Sequence, residues 1–187
     1  MRRVEPAAAL VGDIAVPGVK GLCQRAAILD NLSVGENITI TDQAAKQRGL
    51  YVSPSRQRAQ AVQAIRDMQI RAPGPDAPIT ALSGGNQQKV VLSRAMLTQP
   101  KVLLMDEPTR GVDVGARAEI YEIIRRMASS GVAVVFSSSE IQEVLTLATR
   151  VLVMASGRLT AEFAGAEAKP EVLVAASTPT TAARRTA

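Results

Sequence analysis

Apolar and polar positions along the chain alternate between two periods. Between Pro54 and Met68, Val62, Ile65 and Met68 recur every third residue beside Ala61 and Ala64, which predicts a helix that Ser55 can cap. Ser83 precedes a second helical stretch, carried by Val90, Val91, Ala95 and Leu97 and stopped at Gln99-Pro100. From Gly115 to Ser129, Ile120, Ile123, Ile124 and Met127 form one stripe, with Gly131 just past the last turn. Ser139 to Ala148 predicts another helix, with Ser139 and Gln142 at capping-box spacing and Ile141, Val144, Leu145 and Ala148 inward. Between these helices lie unbroken apolar runs at Lys101–Met105, Val132–Phe136 and Arg150–Met154. The first predicts a strand buried on both faces, the second another buried strand and the third a further strand. Ser156-Gly157 turns the last of them into Arg158–Phe163, a hairpin.

Strand, helix, strand, helix, strand in this order gives an α/β fold with a mainly parallel sheet. The upstream pattern is less regular. Ala7–Val11 and Asp13–Val16 are short strand candidates, and Pro17-Gly18 is a turn signal. Leu32–Ile38 reads as a turn into a short helix, with Ser33 as N-cap and Glu36 at the capping-box position. Arg71–Pro78 is a proline-rich loop. The expected organisation is one domain over 1–163, helical at about 32–98 and strand-rich at about 100–163. A tail over 164–187 is expected to be largely disordered, with one short helix at Glu171–Ala176.

Composition narrows the chemistry. The 187 residues are 47% hydrophobic but only 2% aromatic, so the core must be aliphatic. One cysteine, Cys23, excludes an internal disulfide. The absence of histidine removes histidine-based acid–base catalysis, histidine–metal sites and Ser-His-Asp triads together. The net charge of +5 invites a nucleic-acid reading. However, Arg2, Arg3, Arg184 and Arg185 sit at the ends and no aromatic-interleaved basic patch occurs, so the charge reads as solvated surface and no nucleic-acid partner is expected. No apolar run reaches the roughly 18–20 residues of a membrane span. Asp13 and Pro17 interrupt the apolar stretch at the N-terminus, which reads as not secretory.

Two stretches carry candidate chemistry. Ser83, Gly84 and Gly85 open a helix, where unpaired N–H groups and the positive dipole end can hold a phosphate. Taken alone, they equally describe an ordinary serine-capped helix. Asp106 and Glu107 end an apolar strand, the edge at which open α/β sheets bind ligands. A carboxylate there can hold Mg²⁺ through water, and its neighbour can polarise an attacking water. Taken alone, they equally describe a surface turn.

Together and in this order, LSGGNQQK, a helix, KVLLMDEPTRGVD and an amphipathic helix resemble the signature motif, Walker B and D-loop of ABC-transporter ATPases. LSGGNQQK with DEPTRGVDVGA resembles more narrowly the branch that imports monosaccharides. The resemblance is best over Ile79–Phe163 and weaker at Leu32–Ile40 and Glu171–Ala176. It implies a partial P-loop ATPase domain with a helical signature subdomain and a C-terminal β-hairpin. It assigns Ser83, Gly84, Gly85, Asn86 and Gln87 to the γ-phosphate of ATP held by an opposite half. Asp106 would serve Mg²⁺, Glu107 the attacking water, and Asp113 contacts across the dimer interface. Ser139 stands where the family carries its switch histidine. The implied partners are a second ATP-binding half with an intact Walker A, membrane permease subunits and, indirectly, a sugar-binding protein. The implied location is cytoplasmic, at the inner face of the membrane.

The sequence also departs from that family. No GxxxxGK followed by Ser or Thr occurs, so the phosphate-cradling loop is missing from these residues. The Q-loop is not recognisable around Pro17–Ala27. A serine hydroxyl at position 139 is no proton carrier near neutral pH. The expectation is therefore a truncated or degenerate second half, with no stable ATP binding or turnover by itself, whose signature helix completes a composite site. The alternatives are a non-enzymatic regulatory half and a gene remnant without a stable fold. A DNA-repair ATPase is disfavoured by TRGVDVGA and by the lack of heptads.

Overall fold

A computed structural model of the chain describes residues 8–11, 22–23, 28–46 and 53–178. The strand expected at Asp13–Val16, the turn at Pro17-Gly18, most of Pro17–Ala27 and everything beyond Thr178 lie outside the described residues.

The sheet has β1 (Ala8–Val11), β2 (Leu22–Cys23), β3 (Val102–Asp106), β4 (Ala133–Ser137), β5 (Arg150–Ala155) and β6 (Arg158–Ala164). Their order is β2-β3-β4-β1-β5-β6. Every pair is parallel except β5 with β6. Ser156 and Gly157, which join that pair, have φ of 51° and 74°, the left-handed values a tight two-residue hairpin requires. β2 falls in a stretch that shows no strand pattern; its two residues lie beside Met105 and Asp106.

β3 and β4 are joined by α4 (Val114–Ser129), and β4 and β5 by α5 (Ile141–Leu147). Both crossovers step the same way along the sheet. Right-handed connections therefore put both helices on one face. That face holds the main core: Leu103, Met105, Val134, Phe136, Val151 and Val153 against Ile120, Ile123, Ile124, Met127, Val144 and Leu147. Each such side chain contributes about 1.5–3 kcal/mol on burial. The other face is open at β3, where Val102 is 54% and Leu104 37% exposed. The expectation of a strand buried on both faces is corrected accordingly: the apolar run is continuous, but helices cover one side of it.

The helical unit contains α1 (Val34–Lys46), α2 (Pro54–Asp67) and α3 (Gly84–Leu97). The capping box at the start of α1 is formed: Ser33 N–H donates to Glu36 Oε2 at 2.8 Å and Glu36 N–H to Ser33 Oγ at 3.2 Å. The helix then continues well past Ile38. The cap of α2 is Ser53, not Ser55, which lies inside the helix and meets the Ser53 hydroxyl at 2.8 Å. Val34, Ile38, Ala64, Ile70, Ile79, Leu82 and Val90 form a second core. Arg94 of α3 is buried and donates to Asn37 O (2.7 Å) and Asn37 Oδ1 (3.0 Å) of α1, so α1 and α3 are bonded as well as packed.

Of the tail expected to be largely disordered, the part described, to Thr178, is ordered, and the short helix expected at Glu171–Ala176 is formed, one residue longer at each end. A short turn at Gly165–Glu167 leads into α6 (Pro170–Ser177), whose Leu173 is fully buried in the main core. α6 packs against β5, β6 and α5, and Leu173 is the side chain it buries there.

Candidate functional site

The residues singled out above fall into two hydrogen-bonded groups. The first surrounds the start of α3. Ser83 is its N-cap residue, but no N–H of the helix bonds to its hydroxyl. Instead Ser83 Oγ accepts from Asn86 Nδ2 at 2.9 Å, which leaves the hydroxyl proton available to an incoming acceptor. Asn86 Oδ1 accepts from the Arg71 N–H at 2.8 Å, and Gln87 Nε2 donates to Ile79 O at 3.2 Å. Both side chains thus hold the loop that precedes the helix. Ser83 and Gly84 are exposed, and first-turn N–H groups have no partner within a helix, so this end is open to an anion.

The start of α3 is pressed against the start of α4. A Cβ on Gly85 would lie 2.5 Å from Ala116 Cβ, and one on Gly84 3.5 Å from Gly111 O. One turn along, Lys89 is buried, with Nζ 2.6 Å from Glu119 Oε2 and 3.0 Å from Gln69 O. Arg71 Nη2 reaches the other oxygen of Glu119 at 2.7 Å. The hydrogen bond from Lys89, with the charges of Lys89 and Arg71 behind it, holds the Glu119 carboxyl below the usual range against a smaller desolvation effect. Asp113 caps α4, its Oδ1 accepting from Ala116 N–H at 2.9 Å. Asp113 is exposed, as is Val114 beside it at 83%.

The second group lies at the carboxyl ends of β3 and β4, where Asp106 and Ser137 are in register. Ser137 Oγ donates to Asp106 Oδ1. Glu107 has φ of 49°, a left-handed value that side-chain-bearing residues adopt under constraint. Its N–H donates to Ser137 O at 2.9 Å, and its Oε1 accepts from the Ser139 N–H at 2.8 Å. Ser139 therefore meets Glu107 through its backbone. It does not cap α5: Glu140 is the N-cap residue, and the helix has no side-chain cap bond. The expected Ser139–Gln142 capping box is absent because the Ser139 N–H is already given to Glu107.

Among the described residues, no hydrogen bond or ion pair joins the two groups, although Glu107 and Gly111 sit on one continuous turn. For a metal, Asp106 and Ser137 present hard oxygen donors at an exposed strand end, which suits an ion that keeps most of its water, as Mg²⁺ does. Among the described residues no cluster of three or more histidine, cysteine or acidic side chains could enclose an ion. Four residues escaped the sequence reading: Lys89, Glu119, Thr109 and Glu143. Thr109 and Glu143 are buried and bonded to each other at 2.7 Å across 34 positions, which no local pattern announces.

Comparison with known proteins gives the following. A family model described as ABC transporter matches residues 17–110. The ribose import ATP-binding protein RbsA of Rhodococcus jostii is 46% identical over 160 residues, covering 86% of this chain and 32% of that protein. The xylose import ATP-binding protein XylG of Geobacillus kaustophilus is 50% identical over 119 residues, covering 64% and 24%. XylG of Pseudomonas syringae is 41% identical over 163 residues, covering 84% and 31%. The chain thus spans about a third or less of the length of these relatives. Among solved structures, the dimeric post-hydrolysis state of the ATP-binding cassette MJ0796 bound to ADP and Pi superposes with a TM-score of 0.70. That match has 17% identity and covers 87% of this chain and 86% of the other.

Proposed function

The chain belongs to the ABC transporter family, and from that premise we propose that it is part of the ATP-binding subunit of a monosaccharide importer, supplying the signature face of a composite ATP site. The observation that carries this reading is the exposed surface formed by the starts of α3 and α4. Ser83 and Gly84 lie on it with Asp113 and the uncovered Val114. The hydroxyl of Ser83, the helix N–H groups and the dipole of α3 recognise a γ-phosphate. Asn86 and Gln87 shape the loop that presents them. Asp113 acts across the same interface while capping its own helix.

Asp106 and Glu107 belong to a different nucleotide in this reading, which fits their separate hydrogen-bond group. Asp106 with Ser137 would hold Mg²⁺, which supplies charge neutralisation at the phosphates. Glu107 would orient the attacking water, with Ser139 steadying its carboxylate through the main chain. The 187 residues contain no GxxxxGK followed by Ser or Thr, so the phosphate cradle comes from other residues. The partners are a second ATP-binding half with an intact Walker A and permease subunits that hold the assembly at the inner face of the membrane. A sugar-binding protein acts through the permease. No helix among the described residues is long and apolar enough to cross a membrane.

A second reading, a regulatory half without turnover, draws support from Ser139, which offers Glu107 a backbone N–H and no side-chain base. Titration of the isolated chain with labelled Mg·ATP tests both readings. Each expects no saturation in the micromolar range without the intact half, and saturable binding by the chain alone contradicts both. Turnover at the Asp106–Glu107 site, abolished by Glu107→Gln in the reconstituted pair, favours the first over the second.

A further inference from the structure

Glu143 of α5 is 1% exposed, and nothing in the reading above uses it. Its Oε1 accepts from Thr109 Oγ1 at 2.7 Å, and its N–H donates to Glu140 O at 3.0 Å in the first turn of α5. Thr109 and Ser138 are themselves buried, at 1% and 2% exposure. Thr109 lies on the turn begun by Glu107, closed by Arg110 N–H to Glu107 O and Val112 N–H to Thr109 O, both at 3.1 Å. Ser138 lies on the turn after β4, immediately before the residue whose N–H reaches Glu107, and its Oγ accepts from Glu140 N–H at 3.0 Å.

Glu143 therefore bonds to the Thr109 turn through its carboxyl and, through Glu140, is joined to the Ser138 turn, the two turns whose meeting fixes Glu107. We propose that Glu143 is a positioning residue: by tying the Thr109 turn to the Ser138 turn, it keeps the Ser139 N–H on the Glu107 carboxylate and holds Glu107 in its left-handed conformation. A buried carboxyl is an expensive way to join two loops unless it is hydrogen-bonded, and here the buried Thr109 hydroxyl bonds to it. Its loss would free the turns to relax separately, although the strands beneath them remain paired. Only the consequence for hydrolysis rests on the proposed ATPase reading. The position of the Ser139 N–H can be read without ATP.

The test is amide hydrogen exchange at Ser139 in the full chain, with Ala64 in the helical unit as internal reference. Glu143→Leu and Thr109→Val are expected to speed exchange at Ser139 by about tenfold or more, while Ala64 stays protected. Glu143→Gln keeps an acceptor for Thr109 and is expected to stay within about threefold of the parent chain. Unchanged exchange at Ser139 in either Glu143→Leu or Thr109→Val, with Ala64 protected, overturns the proposal. Loss of protection at Ala64 in both variants overturns it too, because the bond would then determine the fold and not the local geometry. Where the chain is reconstituted with an intact half and turnover depends on Glu107, Glu143→Leu and Thr109→Val lower kcat and leave KM for ATP unchanged. That result can fail while the exchange result holds, and it then counts against the ATPase reading alone.

Discussion

Gly85 is the point at which the signature stretch is fixed to the rest of the molecule, and Gly85→Ala tests that attachment. The added methyl would meet Ala116 Cβ at 2.5 Å and Val112 Cγ1 at 3.5 Å. Carbon atoms pack at about 3.5–4.0 Å, so the starts of α3 and α4 must separate by about 1 Å or more. Ala116 has no rotamer to yield, so the movement falls on the helices. Lys89–Glu119, one turn away, resists it. Overpacking of this kind costs about 1–3 kcal/mol. Alanine regains about 1 kcal/mol of helix propensity, leaving a net loss of up to about 2 kcal/mol. The measurement is the urea midpoint, read with an unchanged m-value. Adding Ala116→Gly removes the clashing methyl, so a double-mutant cycle should return a coupling of about 1 kcal/mol or more in the relieving direction. A stabilising Gly85→Ala, or strict additivity with Ala116→Gly, would refute the reasoning.

Three other outcomes follow from the same geometry. Lys89→Met keeps the packed stem but strands Gln69 O and half of Glu119, so denaturation should show a loss of about 1–3 kcal/mol. Asp113→Ala removes the cap of α4 and should lower stability by about 1 kcal/mol; a larger proportional fall in the reconstituted ATPase than in stability would separate its interface role from its cap. Burial, with smaller repulsion from Glu107 and Glu140, raises the Glu143 carboxyl above the ordinary 4.5 despite the hydroxyls of Ser138 and Thr109. Folded Glu143 thus binds its proton more tightly than the unfolded chain does. Its contribution is complete below 4.5 and lost as pH rises through the raised value. Urea midpoints taken across that range should fall more steeply with pH in the parent chain than in Glu143→Gln, and parallel curves would contradict the assignment.

What could be read from the sequence was local. Asp106 and Glu107 end their strand as the pattern predicts, Asp113 caps the next helix, and the Ser33–Glu36 box is formed, because each depends on neighbours within a few residues. What escaped depends on the fold. The run Lys101–Met105 is apolar throughout, yet only the topology decides that α4 and α5 share one face and leave Val102 and Leu104 open. Thr109 looks like a turn residue and Glu143 like a polar position on an amphipathic helix until α5 lays the two together. Ser139 has the spacing of a helix cap, but its N–H is claimed by a carboxylate 32 positions upstream. Leu173 lies in the short helix the sequence suggests at Glu171–Ala176, but its burial in the main core is decided by the packing of α6 and not by the local pattern.

The central claim is that the SGGNQ helix completes an ATP site whose phosphate cradle lies on another half. It is tested most directly by adding the chain to an intact ATP-binding half and measuring ATP turnover, with the parent chain and with Ser83→Arg. The predicted result is a rate above that of the intact half alone, lost when arginine fills the place of the Ser83 hydroxyl. Equal rates for the intact half alone, with the parent chain and with Ser83→Arg would contradict it.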